Sequence, residues 1–573
     1  MKEKTFLKGA LILAAANFAV KIIGACFKIP LYELLGKEGN GLFNVAYQIY
    51  TFMFIIATAG FPIAVSKMVA ESTAKGDEYD ARRIFETALL LLGIIGLIGS
   101  TVLYVFSEQL AAFLGNEAAA MGIRAIAPSV FFVSMVSAYR GYFQGKQNMY
   151  PTAASEVIEA TAKLGIGIIA ALFFMRMAIN PNLSENISFS AREAVSRDVR
   201  VRYASGGAIM GVTVGTLLSL ILMMIVYRFG EKKASKGLSG VRSRSRILKE
   251  LVVIAIPITI GASVSSLTSL VDLATIMNRL VVNPDVFDKY AALFGKGTEF
   301  YKIAAEEGWQ GSVLYEKMAN SLYGMYTGQA QTMFNLPLTI VVGLSMSVVP
   351  AISTLVAENK REKSLRMTES AIRITMIFAA PCAVGLSVLA KPVLGILYTD
   401  TSAYMLLEKL AIAVIFVAVV SVTNAILQAY GRVYYPVVNM LVGGTVKVLM
   451  NYMFIPVWGI DAAPLATNVC YAVIAALNII CIIKIIKAKI SVLDMILKPL
   501  AASVIMGAAA VGAYRLLFSA LGESRIIGIL AIMAGAAVYL AVIVLIKGFK
   551  RDDILNMPGG GKIAAVMEKY KLL

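Results

Sequence analysis

The sequence contains no histidine and only four cysteines among its 573 residues. Without histidine it lacks the usual general base at neutral pH, the usual proton shuttle and the commonest metal ligand. Cys26, Cys382, Cys470 and Cys481 lie in apolar stretches without CxxC spacing, so neither a disulfide framework nor a thiolate metal site is predicted. We therefore expect no metal and no cofactor, and a transporter or binding protein is favoured over an enzyme.

Charged residues are also scarce, at 15%, whereas 58% of the residues are hydrophobic and the mean hydropathy is +0.76. A helix that crosses a bilayer needs about 20 apolar residues. Apolar runs bounded by charges, proline or glycine fall at residues 6–30, 43–66, 85–106, 126–145, 155–178, 204–228, 250–277, 328–356, 371–390, 408–430, 436–456, 462–486, 496–518 and 525–547. The sequence thus predicts an all-α polytopic membrane protein with about fourteen transmembrane helices.

Basic residues outnumber acidic ones by 53 to 35. In a soluble protein this excess would suggest nucleic acid, but in a membrane protein Lys and Arg first report topology, because they concentrate on the cytoplasmic side. Counting them loop by loop places both termini in the cytoplasm. The basic loops also suggest contact with anionic phospholipids, and we expect no nucleic-acid partner.

The two halves of the chain resemble each other at a nearly constant offset. The matching pairs are Val69-Ala70-Glu71 with Val356-Ala357-Glu358, Tyr150-Pro151 with Tyr435-Pro436, and Thr161 and Lys163 with Thr445 and Lys447. Each repeat holds six helices, which predicts two lobes related by an axis along the membrane normal. The predicted parts are a first lobe (1–230), a basic cytoplasmic linker (231–249), a second lobe (250–490) with an external insertion (279–327), two further helices (491–547) and an amphipathic cytoplasmic tail (548–573).

Ionisable residues inside the predicted spans are candidates for function, since each costs at least about 2.5 kcal/mol on insertion scales. In the first span Asn17, Lys21 and Lys28 recur at helical spacing on one face, and Lys21 is too deep to reach the cytoplasmic interface. The eleventh span repeats the pattern with Asn439, Lys447 and Asn451, at a spacing of four. The prevailing sign is positive, which favours an anionic cargo.

Other intramembrane polar residues are candidates for several roles. Asp272 is an acid in the central third of a span and a candidate counter-charge for Lys447, and Gln331 is a candidate hydrogen-bond donor. Glu159 and Lys163, on the fifth span, have the favourable i to i+4 order, so a structural ion pair and a functional role remain equally open. Arg373, early in the ninth span, is expected to extend its side chain to the cytoplasm.

These residues resemble a known family. Lys21-Ile22-Ile23-Gly24, Ile29-Pro30-Leu31 and the stretch from Ala59 to Lys67 resemble the opening of the polysaccharide-biosynthesis and stage V sporulation protein B branch of the multidrug/oligosaccharidyl-lipid/polysaccharide flippase superfamily. This branch is similar to the lipid II flippase MurJ.

The resemblance implies a bacterial plasma-membrane protein that moves an undecaprenyl-linked anionic lipid, the undecaprenyl-pyrophosphate peptidoglycan precursor lipid II, to the outer leaflet. The two repeat-related lobes predict alternating access as the mechanism, and we expect a monomer. It implies that Lys21 and Lys28 face a central cavity at positions where the family typically has arginine. The family's arginine before the proline of the eighth helix is absent here. Gln329, Gln331 and Thr332 occupy that part of the sequence instead.

Some relatives bind sodium among the seventh, eleventh and twelfth helices, and by that resemblance Asp272 is a candidate sodium ligand. Because Lys447 could act there as a tethered cation, we hypothesise that sodium is dispensable; coupling to sodium or to the membrane potential stays open.

Four other functions remain open. One is export of another lipid-linked polysaccharide unit, and a second is a MATE-type cation-coupled drug antiporter, which predicts an acidic cavity. The third is a membrane glycosyltransferase, which would need a catalytic acid near the outer surface. The fourth is a non-transporting sporulation scaffold.

Overall fold

The computed structural model describes residues 2–177, 197–230, 242–487, 493–522, 524–550 and 553. Within these ranges the chain is helical and contains no β-strand, which confirms the predicted all-α class. The α-helices are α1 (Lys2–Thr58), α2 (Phe61–Ala74), α3 (Glu78–Val105), α4 (Ser107–Phe113), α5 (Ala120–Gly145), α6 (Tyr150–Met177), α7 (Arg197–Gly230), α8 (Arg244–Leu280), α9 (Ala291–Phe294), α10 (Glu299–Glu306), α11 (Gly311–Met325), α12 (Gln331–Ala357), α13 (Arg361–Val388), α14 (Ala390–Leu397), α15 (Tyr404–Ala411), α16 (Ala413–Ala429), α17 (Tyr434–Trp458), α18 (Ala462–Cys481), α19 (Lys498–Leu521) and α20 (Arg525–Leu545).

Short segments of other helix types join some of these elements. The 3₁₀ segments are Glu117–Ala119, Pro284–Tyr290 and Gly459–Asp461, and the π-helical segments are Tyr326–Ala330, Ile482–Ile486 and Leu493–Leu497.

Many of these helices are long enough to cross a bilayer. Among the described residues, 10 helical segments have the length and apolarity of a span, or 11 if α15 and α16, bent by 41°, count as one. Two of them, Ala15–Ala74 and Tyr434–Lys484, run for 60 and 51 residues, more than twice the roughly 20 residues that one crossing needs. The predicted number of fourteen spans stays a prediction.

The first long segment shows where the sequence analysis placed helix boundaries wrongly. A loop was predicted at residues 31–42; the structure has a break within this range, a kink at Gly36 where φ is 66° and ψ is −171°, but the residues on both sides of the kink are helical. Glycine adopts a positive φ without the steric cost that a Cβ would impose. The next break comes at Gly60, just before Pro62, which has no backbone N–H to donate within a helix. The predicted second span, 43–66, therefore crosses a break between α1 and α2.

The chain divides into two compact units, Met1–Gly328 and Gln329–Leu573. In the first unit, α2, α3, α5, α7 and α8 enclose a buried core with an aromatic cluster around Phe85, whose ring centroid lies 4.9 Å from that of Tyr139 and 4.7 Å from that of Tyr227. The predicted first lobe ends at residue 230, whereas the first compact unit also includes α8. The division into two repeat-related lobes stays a prediction.

Within the first unit, α6 and α7 pack unusually closely. A Cβ placed on Gly211 of α7 would lie 2.5 Å from Gly167 of α6. Two facing glycines let helix backbones approach in a way that larger residues prevent, which is a common device in membrane helix packing.

The external insertion predicted at residues 279–327 is largely helical. It contains one 3₁₀ segment and the helices α9, α10 and α11. Phe294 and Phe300 stack edge to face at 4.7 Å within it. Its lysine Lys317 is buried and bonded to Glu38, at 2.6 Å, and to Asp198, so this segment is anchored to α1 and α7.

In the second unit, α13 packs against α16 and α18 on one side and against α19 and α20 on the other. The hydroxyl of Tyr539 on α20 donates a hydrogen bond of 2.6 Å to the carbonyl of Ile377 on α13. Arg373, which the sequence predicted to reach the cytoplasm, is instead 3% exposed and paired with Asp553. That prediction was wrong because it took no account of a partner 180 residues away.

Two predicted cytoplasmic segments are only partly described. Residues 231–241 of the basic linker and most of the predicted tail, 554–573, lie outside the described residues. Arg242 directly follows the first gap and pairs with Asp80 at 2.5 Å and with Glu250 at 3.1 Å. This cation of the linker is therefore paired with carboxylates of the protein.

Candidate functional site: a charged cavity in the first unit

A cavity of about 590 Å³ lies within the first unit, between α1, α2, α5, α6 and α7. It opens among helices that are apolar enough to span a membrane, so its polar lining is unusual for its surroundings. The polar residues of the lining are Asn17, Lys21, Tyr47, Tyr50, Thr51, Thr58, Ser137, Arg140, Gln144, Glu156, Glu159 and Lys163.

Two of the predicted site residues meet at this cavity. Asn17 and Lys21, one helical turn apart on α1, both line it together with Gly24. Lys21 is exposed and forms no ion pair among the described residues. Lys28 is half-buried on the same helix but is not among the side chains that line the cavity.

Arg140 and Glu159 form the ion pair of the cavity wall. Their Nη2 and Oε2 atoms are 3.0 Å apart, with the side chains 9% and 20% exposed, and Arg140 Nε also donates to Ser155 Oγ at 3.0 Å. The sequence had offered Lys163 as a partner for Glu159. The structure pairs Glu159 with Arg140 of α5 instead, so the i to i+4 arrangement does not form the ion pair of this helix.

Lys163 is held by aromatic rings and a hydroxyl. Its Nζ donates to Tyr47 Oη at 3.0 Å and lies 4.1 Å from the centroid of the Tyr47 ring and 5.0 Å from that of Phe27. An aromatic face attracts a cation through its quadrupole but carries no net charge. The positive charge of Lys163 is therefore stabilised without being neutralised.

The cavity as a whole is electropositive. Three cations, Lys21, Arg140 and Lys163, face two carboxylates, Glu156 and Glu159, which leaves an excess of one positive charge when all are ionised. Since Arg140 and Glu159 satisfy each other, the charges left for a ligand to meet are those of the two lysines and of Glu156. An anionic group in this cavity would be attracted to the lysine ammonium groups more strongly than in bulk water, because the dielectric constant is lower inside the protein.

The remaining predicted site residues lie elsewhere. Asp272 is buried on α8 of the first unit. In the second unit, Gln331 is half-buried at the start of α12, whereas Lys447, Asn439 and Asn451 are all buried on α17.

Asn439 already has a role within the second unit. Its Nδ2 donates to Asn478 Oδ1 at 2.8 Å, and Asn478 donates in turn to Thr423 and Asn424. This amide network joins α16, α17 and α18, so Asn439 has a packing role that the sequence analysis did not foresee.

Sequence reasoning missed Arg140 and Tyr47. Arg140 lies near the end of its helix, where a cation ordinarily extends to the interface. Tyr47 lies in an apolar run without any polar periodicity. The signals that could have indicated them are the position of Arg140 inside an apolar span and that of Tyr47 on the helix that also holds Lys21.

No metal site is evident in the part of the chain that the structure describes, where no group of three or more Cys, Asp or Glu side chains is arranged to hold an ion. The four cysteines are free thiols.

The second unit contains a cavity of a different kind, with a volume of about 1390 Å³. It lies between α12, α13, α19 and α20, and its lining is almost entirely aliphatic or aromatic, including Leu344, Phe378, Ile532 and Tyr539.

Comparison with known proteins gives the family. A model of the "Polysaccharide biosynthesis protein" family matches residues 6–356, and one of "Lipid II flippase MurJ" matches residues 319–545. The chain is 25% identical to stage V sporulation protein B of Bacillus subtilis (strain 168), covering 98% of this chain and 99% of that one. It is 24% identical to lipid II flippase MurJ of the same organism, over 81% and 80%.

The fold is similar to that of a solved lipid II flippase MurJ in an inward closed conformation, with a TM-score of 0.66 at 14% identity, over 94% of this chain and 98% of that one. Its architecture is thus that of membrane flippases and transporters. Because the first family model covers more than half of the sequence, this chain belongs to the polysaccharide biosynthesis protein family of multi-pass membrane proteins.

Proposed function

We propose that this protein is a flippase that carries an undecaprenyl-pyrophosphate peptidoglycan precursor, lipid II, from the inner to the outer leaflet by alternating access. The observation that carries the proposal is the charged cavity of the first unit. It lies among membrane-spanning helices, and Lys21 and Lys163 contribute positive charge that no carboxylate neutralises among the described residues.

A pyrophosphate suits these lysines physically. An ammonium is a compact charge with three donors, and it binds phosphate as a point charge without the fixed fork of arginine. Lys21 and Lys163 would hold the phosphate-bearing head in the first unit, and Asn17 would add hydrogen bonds. Lys28, Lys447, Asn451 and Gln331 remain further candidates for the head, and Asp272 remains the candidate for coupling.

The sign of the cavity argues against a drug antiporter that selects organic cations. Such a site would be expected to carry excess negative charge, whereas this cavity has three cations against two acids. The relatives add support, since one is named for lipid II and another for sporulation.

The test is complementation of a bacterial strain depleted of its lipid II flippases. The wild-type chain should restore growth and the exposure of lipid II on the outer leaflet, measured with a leaflet-accessibility assay. Lys21→Ala should reduce both to the level of the empty vector, at equal protein abundance, because the pyrophosphate loses its unpaired cation. The matched control is Lys75→Ala, an exposed lysine in the turn after α2, which should behave as wild type.

Two results would contradict the proposal in different ways. Full rescue by Lys21→Ala would remove the phosphate role of the cavity. Failure of the wild-type chain to expose lipid II, with normal membrane insertion, would show that the cargo is another lipid-linked unit.

A further inference from the structure

Two carboxylates line the charged cavity of the first unit, and among the described residues only Glu159 has an ion-pair partner. Glu156 lines the same cavity from α6, three residues earlier, and its Oε2 atom is buried without a hydrogen-bond partner in the described part of the chain. Burying a carboxylate oxygen costs free energy unless a donor or an opposite charge replaces its water. Glu156 is therefore an acceptor in the cavity wall that a ligand can satisfy.

The neighbouring cations of the cavity are held by other side chains. Arg140 of α5 donates through Nη2 to Glu159 Oε2 at 3.0 Å. Lys163 lies two helical turns after Glu156 on α6, and its Nζ donates to the Tyr47 hydroxyl at 3.0 Å. The charge of Glu156 thus stays available to a group that enters the cavity from outside.

The spacing of these charges along α6 describes the ligand that fits them. Glu156 and Lys163 lie on the same face of the helix, because their separation is almost two full turns, and the helix rise places their Cα atoms about 10 Å apart along the axis. Lys21 of α1 adds a second ammonium to the lining. A complementary ligand carries negative charge in one part of its head and positive charge in another.

We propose that Glu156 binds a primary ammonium group of the cargo, so that the cavity selects a lipid-linked head that carries an ammonium besides its phosphates. The inference rests on the proposed function and deepens it by naming a second group of the head. Lys21 and Lys163 bind the phosphates, and Glu156 accepts charge-assisted hydrogen bonds from the ammonium. An ammonium is favoured over a neutral hydroxyl because opposite charges attract strongly where the dielectric constant is low.

The test is lipid binding by the purified full-length chain in detergent, with two probes. One is lipid II whose stem peptide carries a lysine, and the other is the same lipid acetylated at that lysine, which removes the positive charge. Wild type should bind the lysine form at least about tenfold more tightly, as expected for hydrogen bonds between charged groups. Glu156→Gln keeps the shape of the side chain without its charge and should bind both forms with the same affinity.

The matched control is Glu71→Gln. Glu71 is exposed on α2, the helix whose Pro62 and Ile63 line the same cavity, so this change removes a carboxylate that is not part of the lining. It should keep the wild-type preference for the lysine form. Equal binding of the two lipids by wild type, as expected if Glu156 holds a proton instead, would overturn the inference. A preference that persists unchanged in Glu156→Gln would overturn it as well.

Lys21→Ala separates this inference from the proposed function. It should weaken the binding of both lipids by the same factor, because the phosphates lose a cation while the ammonium keeps its carboxylate. If wild type binds both lipids equally and Lys21→Ala weakens both, the phosphate role stands and the role of Glu156 alone is refuted. Binding of neither lipid by wild type would overturn the proposed cargo and this inference together.

Discussion

At the scale of single residues, the charged groups of the first unit divide into two kinds. Arg140 and Glu159 compensate each other in the wall of the cavity, whereas Lys163 is held by Tyr47 and Phe27, which provide attraction without opposite charge. Burying a cation is costly unless polar or charged groups replace its water. The two kinds of environment thus separate a structural charge pair from a cation that can exchange its partners for a ligand.

This division predicts different consequences for stability. Arg140→Met leaves Glu159 partly buried without its partner and should lower the free energy of unfolding by roughly 3–5 kcal/mol. The double variant with Glu159→Gln should recover most of that loss, because no uncompensated charge remains. Thermal unfolding of the purified variants in detergent measures both effects. Equal melting temperatures for wild type and Arg140→Met would mean that the pair has no structural role.

At the scale of helices, the sequence predicted the positions of the long helices well but predicted poorly which side chains pair between helices. The apolar runs found nearly all the long helices, and the spacing of Asn17 and Lys21 correctly placed both on one face, because helix periodicity is a local property. The open Glu159–Lys163 ion pair does not form, and the predicted cytoplasmic position of Arg373 was wrong, since their actual partners, Arg140 and Asp553, lie 19 and 180 residues away, outside the same helix. A single sequence contains no direct information on which helices become neighbours.

Helix packing offers a prediction with an internal control. Gly211 and Gly165 both lie in membrane-spanning helices, α7 and α6, but a Cβ at Gly211 would come within 2.5 Å of Gly167, whereas one at Gly165 would have nothing within 4 Å. Gly211→Ala should therefore destabilise the protein by about 1–3 kcal/mol through overpacking. Gly165→Ala should be neutral or stabilising by up to about 1 kcal/mol, because alanine favours helix over glycine.

Each of the two variants adds one methyl group to a helical glycine, so the effect of helix propensity cancels when their stabilities are compared. Thermal unfolding in the same detergent gives the difference directly. Equal stability of the two variants would show that α6 and α7 can separate without cost at this crossing.

At the scale of the whole molecule, the excess of lysine and arginine predicts the orientation in the membrane, and the first unit supplies positions to test it. The turn after α2 lies beside Lys146, which pairs with Glu78 at 2.9 Å, so the loops α2–α3 and α5–α6 meet at one end of the unit. Asn116 bonds to Asn320 at 2.7 Å, so the loop after α4 meets the insertion helix α11.

In a variant whose four cysteines are replaced, single cysteines at Lys75 and Lys302, both exposed, should therefore react from opposite sides of the membrane. Because cations concentrate on the cytoplasmic side, we expect a membrane-impermeant maleimide added to intact cells to label position 302 and to label position 75 only after permeabilisation. The reverse pattern would place the insertion in the cytoplasm, and the direction of transport would then have to be inverted. Labelling of both positions in intact cells would instead refute their placement on opposite sides.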